Sequence, residues 1–371
     1  MASDEVFAVS GPKHMMAKIG MGSSPTTMIK INWDNHEHRR CVAACLVNGT
    51  YLMIMMNDGP GFTKLARAWW ESFHFRCNTI LTDDDGLIFG AIFEHQLQPG
   101  PAGARHHHHP SSAPPRYIVA FRGTVSRHFK SSDMQLNLKI VMNKHHDSGR
   151  YNRAREQVGR LLDSTGGGAA VVWLAGHSLG ASIELDVGRH VMEKRRRGLP
   201  TFLFNPPHVS LAPVINTLRV GEAAKRGLYV TSFMVKAALA KTVRRSHEKN
   251  MAELFDKLAP WVPELYVHER DFICQGFIDY FELRRKMLDR SRILRPVAEV
   301  AMKMSFRDMW ISLHSSAKAE NGEEPRVRPH LLPSARLWKN SSELYPHGLR
   351  QWWQPDSRLN LLQTVHLPPT H

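Results

Sequence analysis

The sequence predicts an α/β protein, a mostly parallel central sheet with helices on both faces. Three observations carry that expectation. The runs at Tyr117–Phe121, 171–175 and Thr201–Phe204 are short and continuously apolar, as strands buried on both faces are. Helical periods separate them, and the order strand, helix, strand, helix, strand is that of parallel strands joined by helical crossovers. The breaks Gly166-Gly167-Gly168, Gly198-Leu199-Pro200 and Asn205-Pro206-Pro207 fall where the runs end.

Along the chain, residues 1–29 are expected to be a partly disordered tail, 30–356 one domain, and 357–371 a second tail. Segment 98–116, rich in Pro, Gly, Ser and His, has no apolar period and is read as a low-complexity insertion, its four consecutive histidines (106–109) included. The strand at Tyr117–Phe121 ends in Arg122-Gly123-Thr124. Residues 133–140 alternate polar with apolar, which predicts a half-exposed strand. Residues 150–163 place Tyr151, Ala154, Val158, Leu161 and Leu162 on one helical face. A helix follows Ser178 to about Arg197. Beyond Pro207 the pattern is mostly helical, with one strand at Glu264–His268 and a polar loop at 315–328.

Composition narrows the function classes. With 371 residues, 42% of them apolar, the chain can bury a sizeable core. Its longest apolar stretch, 41–56, is interrupted by Asn48-Gly49-Thr50 and falls short of a membrane-spanning helix. The first twenty residues carry Asp4 and Glu5 and lack a signal-type apolar run, so an intracellular protein is expected. Four scattered cysteines suggest neither a disulfide framework nor a zinc site, and His36-Glu37-His38 lacks the metalloprotease spacing. The charge of +15 sits largely in runs such as Lys194-Arg195-Arg196-Arg197 and 241–245, which read as solvated helix ends or as contacts for anionic membrane surfaces. Basic motifs interleaved with aromatics are absent, and nucleic acid is not expected as a partner.

The chemistry centres on Gly176-His177-Ser178-Leu179-Gly180. A strand enters this motif and a helix leaves it, the arrangement in which a serine is held on a strained turn above a sheet, with glycines where neighbouring chain leaves no room for a Cβ. A tight turn with a serine helix cap is the alternative. As a nucleophile, Ser178 needs a base, an orienting acid and donors for an oxyanion. The Leu179 N–H, at a helix N-terminus, is one such donor, and Thr124 is placed to give the second through its N–H or hydroxyl.

Residues Tyr117-Ile118-Val119-Ala120-Phe121-Arg122-Gly123-Thr124 together with Val172-Trp173-Leu174-Ala175-Gly176-His177-Ser178-Leu179-Gly180 resemble the class 3 lipase branch of the α/β-hydrolases. Within it, Trp33-Asp34-Asn35, His38-Arg39-Arg40, Val42-Ala43-Ala44-Cys45-Leu46, Trp69-Trp70-Glu71, Phe204-Asn205-Pro206-Pro207 and 347–353 resemble a plant group often labelled GDSL esterase/lipase, although Gly-Asp-Ser-Leu does not occur here. The resemblance spans about 30–356 without the insertion. It implies an α/β-hydrolase fold, Ser178 as nucleophile, Leu179 and Thr124 at the oxyanion, an aspartate after a later strand, a histidine near the C-terminus, and no cofactor or metal. Asp271 follows the strand at Glu264–His268 and suits the acid, while Asp256 and Asp279 sit in helical patterns. His347, in the turn Tyr345-Pro346-His347-Gly348, suits the base, with His330 as its rival.

The implied function is cleavage of carboxylic esters, lipid or small acyl esters, through an acyl-enzyme. Ala181-Ser182 follow the motif where the family has Gly or another small residue. Segment 126–132 is polar and basic where interfacially activated relatives carry an amphipathic lid, an expectation against strong interfacial activation. Two other readings remain: a non-catalytic interaction protein on a lipase fold, and a module that binds anionic surfaces.

Overall fold

The computed structural model describes residues 7, 10–19, 26–29, 31–55, 63–96, 113–124, 149–166, 171–208, 245–290 and 332–368. The elements in chain order are β1 (Met16–Ile19), β2 (Thr26–Ile29), α1 (His36–Met55), α2 (Thr63–Glu71), β3 (Phe75–Thr82), β4 (Ile88–His95), β5 (Tyr117–Phe121), α3 (Gly149–Ser164), β6 (Val172–His177), α4 (Leu179–Arg195), β7 (Thr201–Phe204), α5 (Arg245–Leu258), β8 (Glu264–His268), α6 (Gly276–Arg290), β9 (Ala335–Asn340) and β10 (Leu361–His366). Among the described residues β3 to β10 form one eight-stranded sheet in chain order. Pairing is parallel from β5 to β9 and antiparallel for β3–β4, β4–β5 and β9–β10.

The continuous apolar runs have a direct cause. In β5, Ile118 and Ala120 face the core that contains α1, whereas Tyr117, Val119 and Phe121 face the core under α3 and α4. In β6, Trp173 and Ala175 face the first core, and Val172 and Leu174 the second. Because period-2 alternation is apolar on both sides, the strands read as unbroken runs. Helix α1 is similarly apolar all round, with 41–47 fully buried between the sheet, α2 and the C-terminal turns. Mid-helix Gly188 of α4 makes room for Trp261, since a Cβ there would lie 2.3 Å from its ring. No helix among the described residues is long and apolar enough to cross a membrane.

The helices at 150–163 and after Ser178 form at Gly149–Ser164 and Leu179–Arg195. The latter stops when Arg196 turns left-handed, with φ 53°. Its basic run is a helix end in which Arg195 pairs with Asp163 at 2.6 Å and Lys194 with Glu193 at 3.8 Å. Four strands of the sheet, β3, β4, β9 and β10, go beyond the sequence reading. Strands β3 and β10 sit at the sheet edges with half their positions exposed, so polar residues dilute the apolar signal. Segment 357–371, read as a tail, supplies β10, and 1–29 supplies the β1–β2 hairpin and buried Phe7. The expected strand at 133–140, most of the 98–116 insertion, the lid-equivalent 126–132, the loop 315–328 and the run 241–244 lie outside the described residues.

Candidate functional site

Ser178 directly follows β6 at the carboxyl edge of the sheet, where loops after parallel strands gather. Its backbone has φ 54° and ψ −126°, a strained conformation for a residue with a Cβ. Neighbouring chain holds it there: the Ser178 N–H donates to the Phe204 carbonyl at 3.0 Å, and the Ala181 N–H to the Ser178 carbonyl at 2.9 Å. The flanking glycines are steric necessities. A Cβ on Gly176 would lie 2.7 Å from the Gly180 carbonyl oxygen, and one on Gly180 2.4 Å from that of Phe121. Leu179 opens α4, so its N–H is among those with no intrahelical partner.

Folding brings two distant loops to this serine. The ring of His347 lies with Nε2 at 3.0 Å from Ser178 Oγ and Nδ1 at 2.8 Å from Asp271 Oδ2. An ionised carboxylate only accepts, so Nδ1 carries the proton and the Nε2 lone pair faces the serine hydroxyl. Asp271 is 1% exposed. Burial pushes its carboxyl up, but hydrogen bonds from His347, the Cys274 thiol at 3.0 Å and the Ile273 N–H at 3.1 Å outweigh it and hold the group below the ordinary carboxylate value. Burial raises the Cys274 thiol well above its usual range, so it stays protonated and donates.

The His347 loop is braced by its own turn. The Gln351 amide donates to the carbonyls of Pro346 at 2.7 Å, Gly348 at 2.9 Å and Tyr345 at 3.2 Å, while its oxygen accepts from Asn340 at 2.7 Å. Asn205, directly after β7, donates through Nδ2 to Asp271 Oδ2 at 2.7 Å and to the Pro346 carbonyl at 3.0 Å.

A second set of contacts joins the turn after β5 to the serine motif. The Gly123 N–H donates to Tyr51 Oη at 2.7 Å, and Tyr51 Oη lies 2.8 Å from His177 Nδ1. His177 Nε2 lies 2.9 Å from the His347 carbonyl oxygen, which can only accept, so Nε2 carries the proton and Nδ1 accepts from Tyr51. Burial, with the nearby His347 ring, pulls His177 down to about 3, keeping it neutral. Gly123 packs so close that a Cβ would sit 2.8 Å from Ser178 Cβ. Thr124 follows it and is exposed.

Ser178, Asp271 and His347 are thus one hydrogen-bonded chain, with Leu179 beside it and Thr124 one residue beyond the Gly123 contact. Asp256 lies in α5 and Asp279 in the first turn of α6, whereas the partner of His347 Nδ1 is Asp271. His330 lies outside the described residues. Sequence reasoning missed Tyr51, Cys274 and Asn340, and took Asn205 and Gln351 only as parts of motifs. Polar residues next to prolines or inside apolar helices carry no period, and only the fold brings them to the site. Among the described residues no group of side chains is arranged to hold a metal ion.

Fold and site define an α/β protein with a serine–histidine–aspartate hydrogen-bond chain at the carboxyl edge of its sheet. Over 374 aligned residues, 95% of each chain, the sequence is 33% identical to an Arabidopsis thaliana protein named GDSL esterase/lipase. The chain belongs to the same esterase/lipase family as that protein. No protein-family model and no solved structure matches it.

Proposed function

We propose that the protein is a serine hydrolase of carboxylic esters, lipid acyl esters among them, on an α/β-hydrolase fold of the class 3 lipase branch. The observation that carries this reading is the unbroken chain from Ser178 Oγ through His347 to Asp271. The name of the Arabidopsis relative supports ester hydrolysis. The chain order Ser, Asp, His and the strand–serine–helix turn support the fold.

In this reading Ser178 Oγ attacks the ester carbonyl carbon while its proton passes to His347 Nε2. Asp271 keeps the ring oriented and stabilises the imidazolium that forms. The negative charge on the carbonyl oxygen is met by the Leu179 N–H at the start of α4 and by Thr124. His347 returns the proton to the departing alkoxide, leaving an acyl ester on Ser178. A water molecule, deprotonated by the same imidazole, attacks that acyl carbon, and the carboxylic acid and free serine are regenerated. The strained turn holds the Ser178 backbone above the sheet edge, and the contact with His347 Nε2 at 3.0 Å orients the hydroxyl for attack.

The test is hydrolysis of a panel of p-nitrophenyl esters of increasing acyl length by wild type and Ser178→Ala. Turnover by wild type that falls on the order of a millionfold in the variant supports the reading. Equal rates in the two proteins, or none in wild type, refute it and favour an interaction protein on the same fold.

A further inference from the structure

Asn205 is fully buried and its backbone is left-handed, with φ 45°. Its side-chain amide touches both loops that complete the serine site. Nδ2 donates to Asp271 Oδ2 at 2.7 Å and to the Pro346 carbonyl, one residue before His347, at 3.0 Å. Its oxygen accepts from Trp352 Nε1, on the turn that follows His347. An indole N–H can only donate, whereas a carboxylate and a carbonyl can only accept. The amide therefore has one satisfiable orientation, and Trp352 enforces it. Trp352 is fixed in turn: it is fully buried, and its own carbonyl accepts from buried Arg40 at 2.9 Å.

We propose that Asn205, locked by Trp352, is the positioning residue that sets the spacing of Asp271 and His347, an inference that rests on the hydrolase reading above. The two loops follow the neighbouring strands β8 and β9, and are tied at their base by the Glu269 N–H to the Asn340 carbonyl at 3.0 Å and by Arg270 to the Ser342 carbonyl at 2.6 Å, away from Asp271 and His347 themselves. At the reacting end of the loops, the Asn205 amide spans them with its two hydrogens, one on Asp271 and one on the carbonyl before His347. It also places a neutral donor on the carboxylate oxygen that holds the imidazole, which moderates how strongly Asp271 attracts the imidazolium proton.

The experiment combines Asn205→Ala, Asn205→Asp, Trp352→Phe and the Asn205→Ala/Trp352→Phe pair. It reads kcat, KM, the pH profile of kcat/KM and the NMR titration of the His347 imidazole. A displacement of about 1 Å at a reacting centre costs on the order of 100-fold, so Asn205→Ala is expected to lower kcat by roughly that factor with KM unchanged. With one donor gone from Asp271, the imidazolium gains, and both the acid limb of the profile and the His347 titration move to higher pH. Asn205→Asp, nearly identical in shape but unable to donate twice, behaves alike. Trp352→Phe gives a smaller loss in the same direction and adds nothing to kcat in the Asn205→Ala background.

An unchanged His347 titration and acid limb in folded Asn205→Ala would overturn the proposal and leave Asn205 a packing residue. Should that variant not fold, Trp352→Phe decides by the same titration, as it leaves the amide in place. The titration needs no turnover, so a wild type inactive on esters would sink the hydrolase reading and still show whether Asn205 tunes His347.

Discussion

At the scale of the residue, the strongest demands fall on atoms that could not be exchanged for their nearest chemical relatives. Gly180 has the Phe121 carbonyl oxygen where a Cβ would go, and backbone cannot give way as a flexible side chain can. Gly180→Ala is expected to abolish activity and to destabilise the fold by about 2 kcal/mol or more, measured by urea unfolding. Glu184, one turn into α4, is a second special case. Its Oε1 accepts the Phe202 N–H at 2.9 Å, while Oε2 has no hydrogen-bond partner. Complete burial raises this carboxyl well above its ordinary 4.5, despite the Phe202 N–H, and favours the protonated form. The folded protein holds that proton more tightly than the unfolded chain. The contribution to stability is therefore complete below 4.5 and declines as pH rises toward the folded value. Glu184→Gln keeps shape and neutrality, so its stability advantage over wild type should grow as pH rises above 4.5 in parallel melting curves. A flat difference would contradict the assignment. The glycines and Ser178 could be read from sequence because a motif marks them. Glu184 could not, since a carboxylate in a helix ordinarily marks a solvated face.

Elements differ in legibility for a physical reason. Strands β5 and β6 are covered on both faces and announce themselves as apolar runs, while α3 is covered on one face and shows its period. Edge strands β3 and β10 leave Ile80, Leu362 and Val365 in solvent and mix polar residues into the pattern. The turn at 349–353 was legible only as a motif, yet it carries Trp352 and the brace for His347. Buried Arg40 on α1 clamps it: Nε donates to the Trp352 carbonyl at 2.9 Å, Nη2 to that of Gln354 at 2.6 Å, and Nη1 pairs with Asp356. Arg40→Met should cost about 3 kcal/mol in urea unfolding, because the buried Trp352 carbonyl and the part-buried Gln354 carbonyl lose charged donors. It should also reduce kcat through the displaced His347 loop. A stability loss with kcat intact would separate the clamp from the site.

For the whole molecule, the expected fold class holds: helices cover both faces of a sheet that is parallel through its centre. Strand β10 and the β1–β2 pair carry regular structure past both boundaries read from sequence. The polar composition of 126–132 leads to a prediction at this scale: rates on monomeric and emulsified esters of equal acyl length should be similar, and a large jump at the emulsion would refute it. The central claim is that folding carries residues 178, 271 and 347 from three loops into one relay that activates a serine. It is tested most directly by a fluorophosphonate, with the modified peptide identified by mass spectrometry. The account predicts one adduct, on Ser178, formed at least about 100-fold more slowly in His347→Ala. No adduct in wild type, or a rate unaffected by loss of His347, would contradict it.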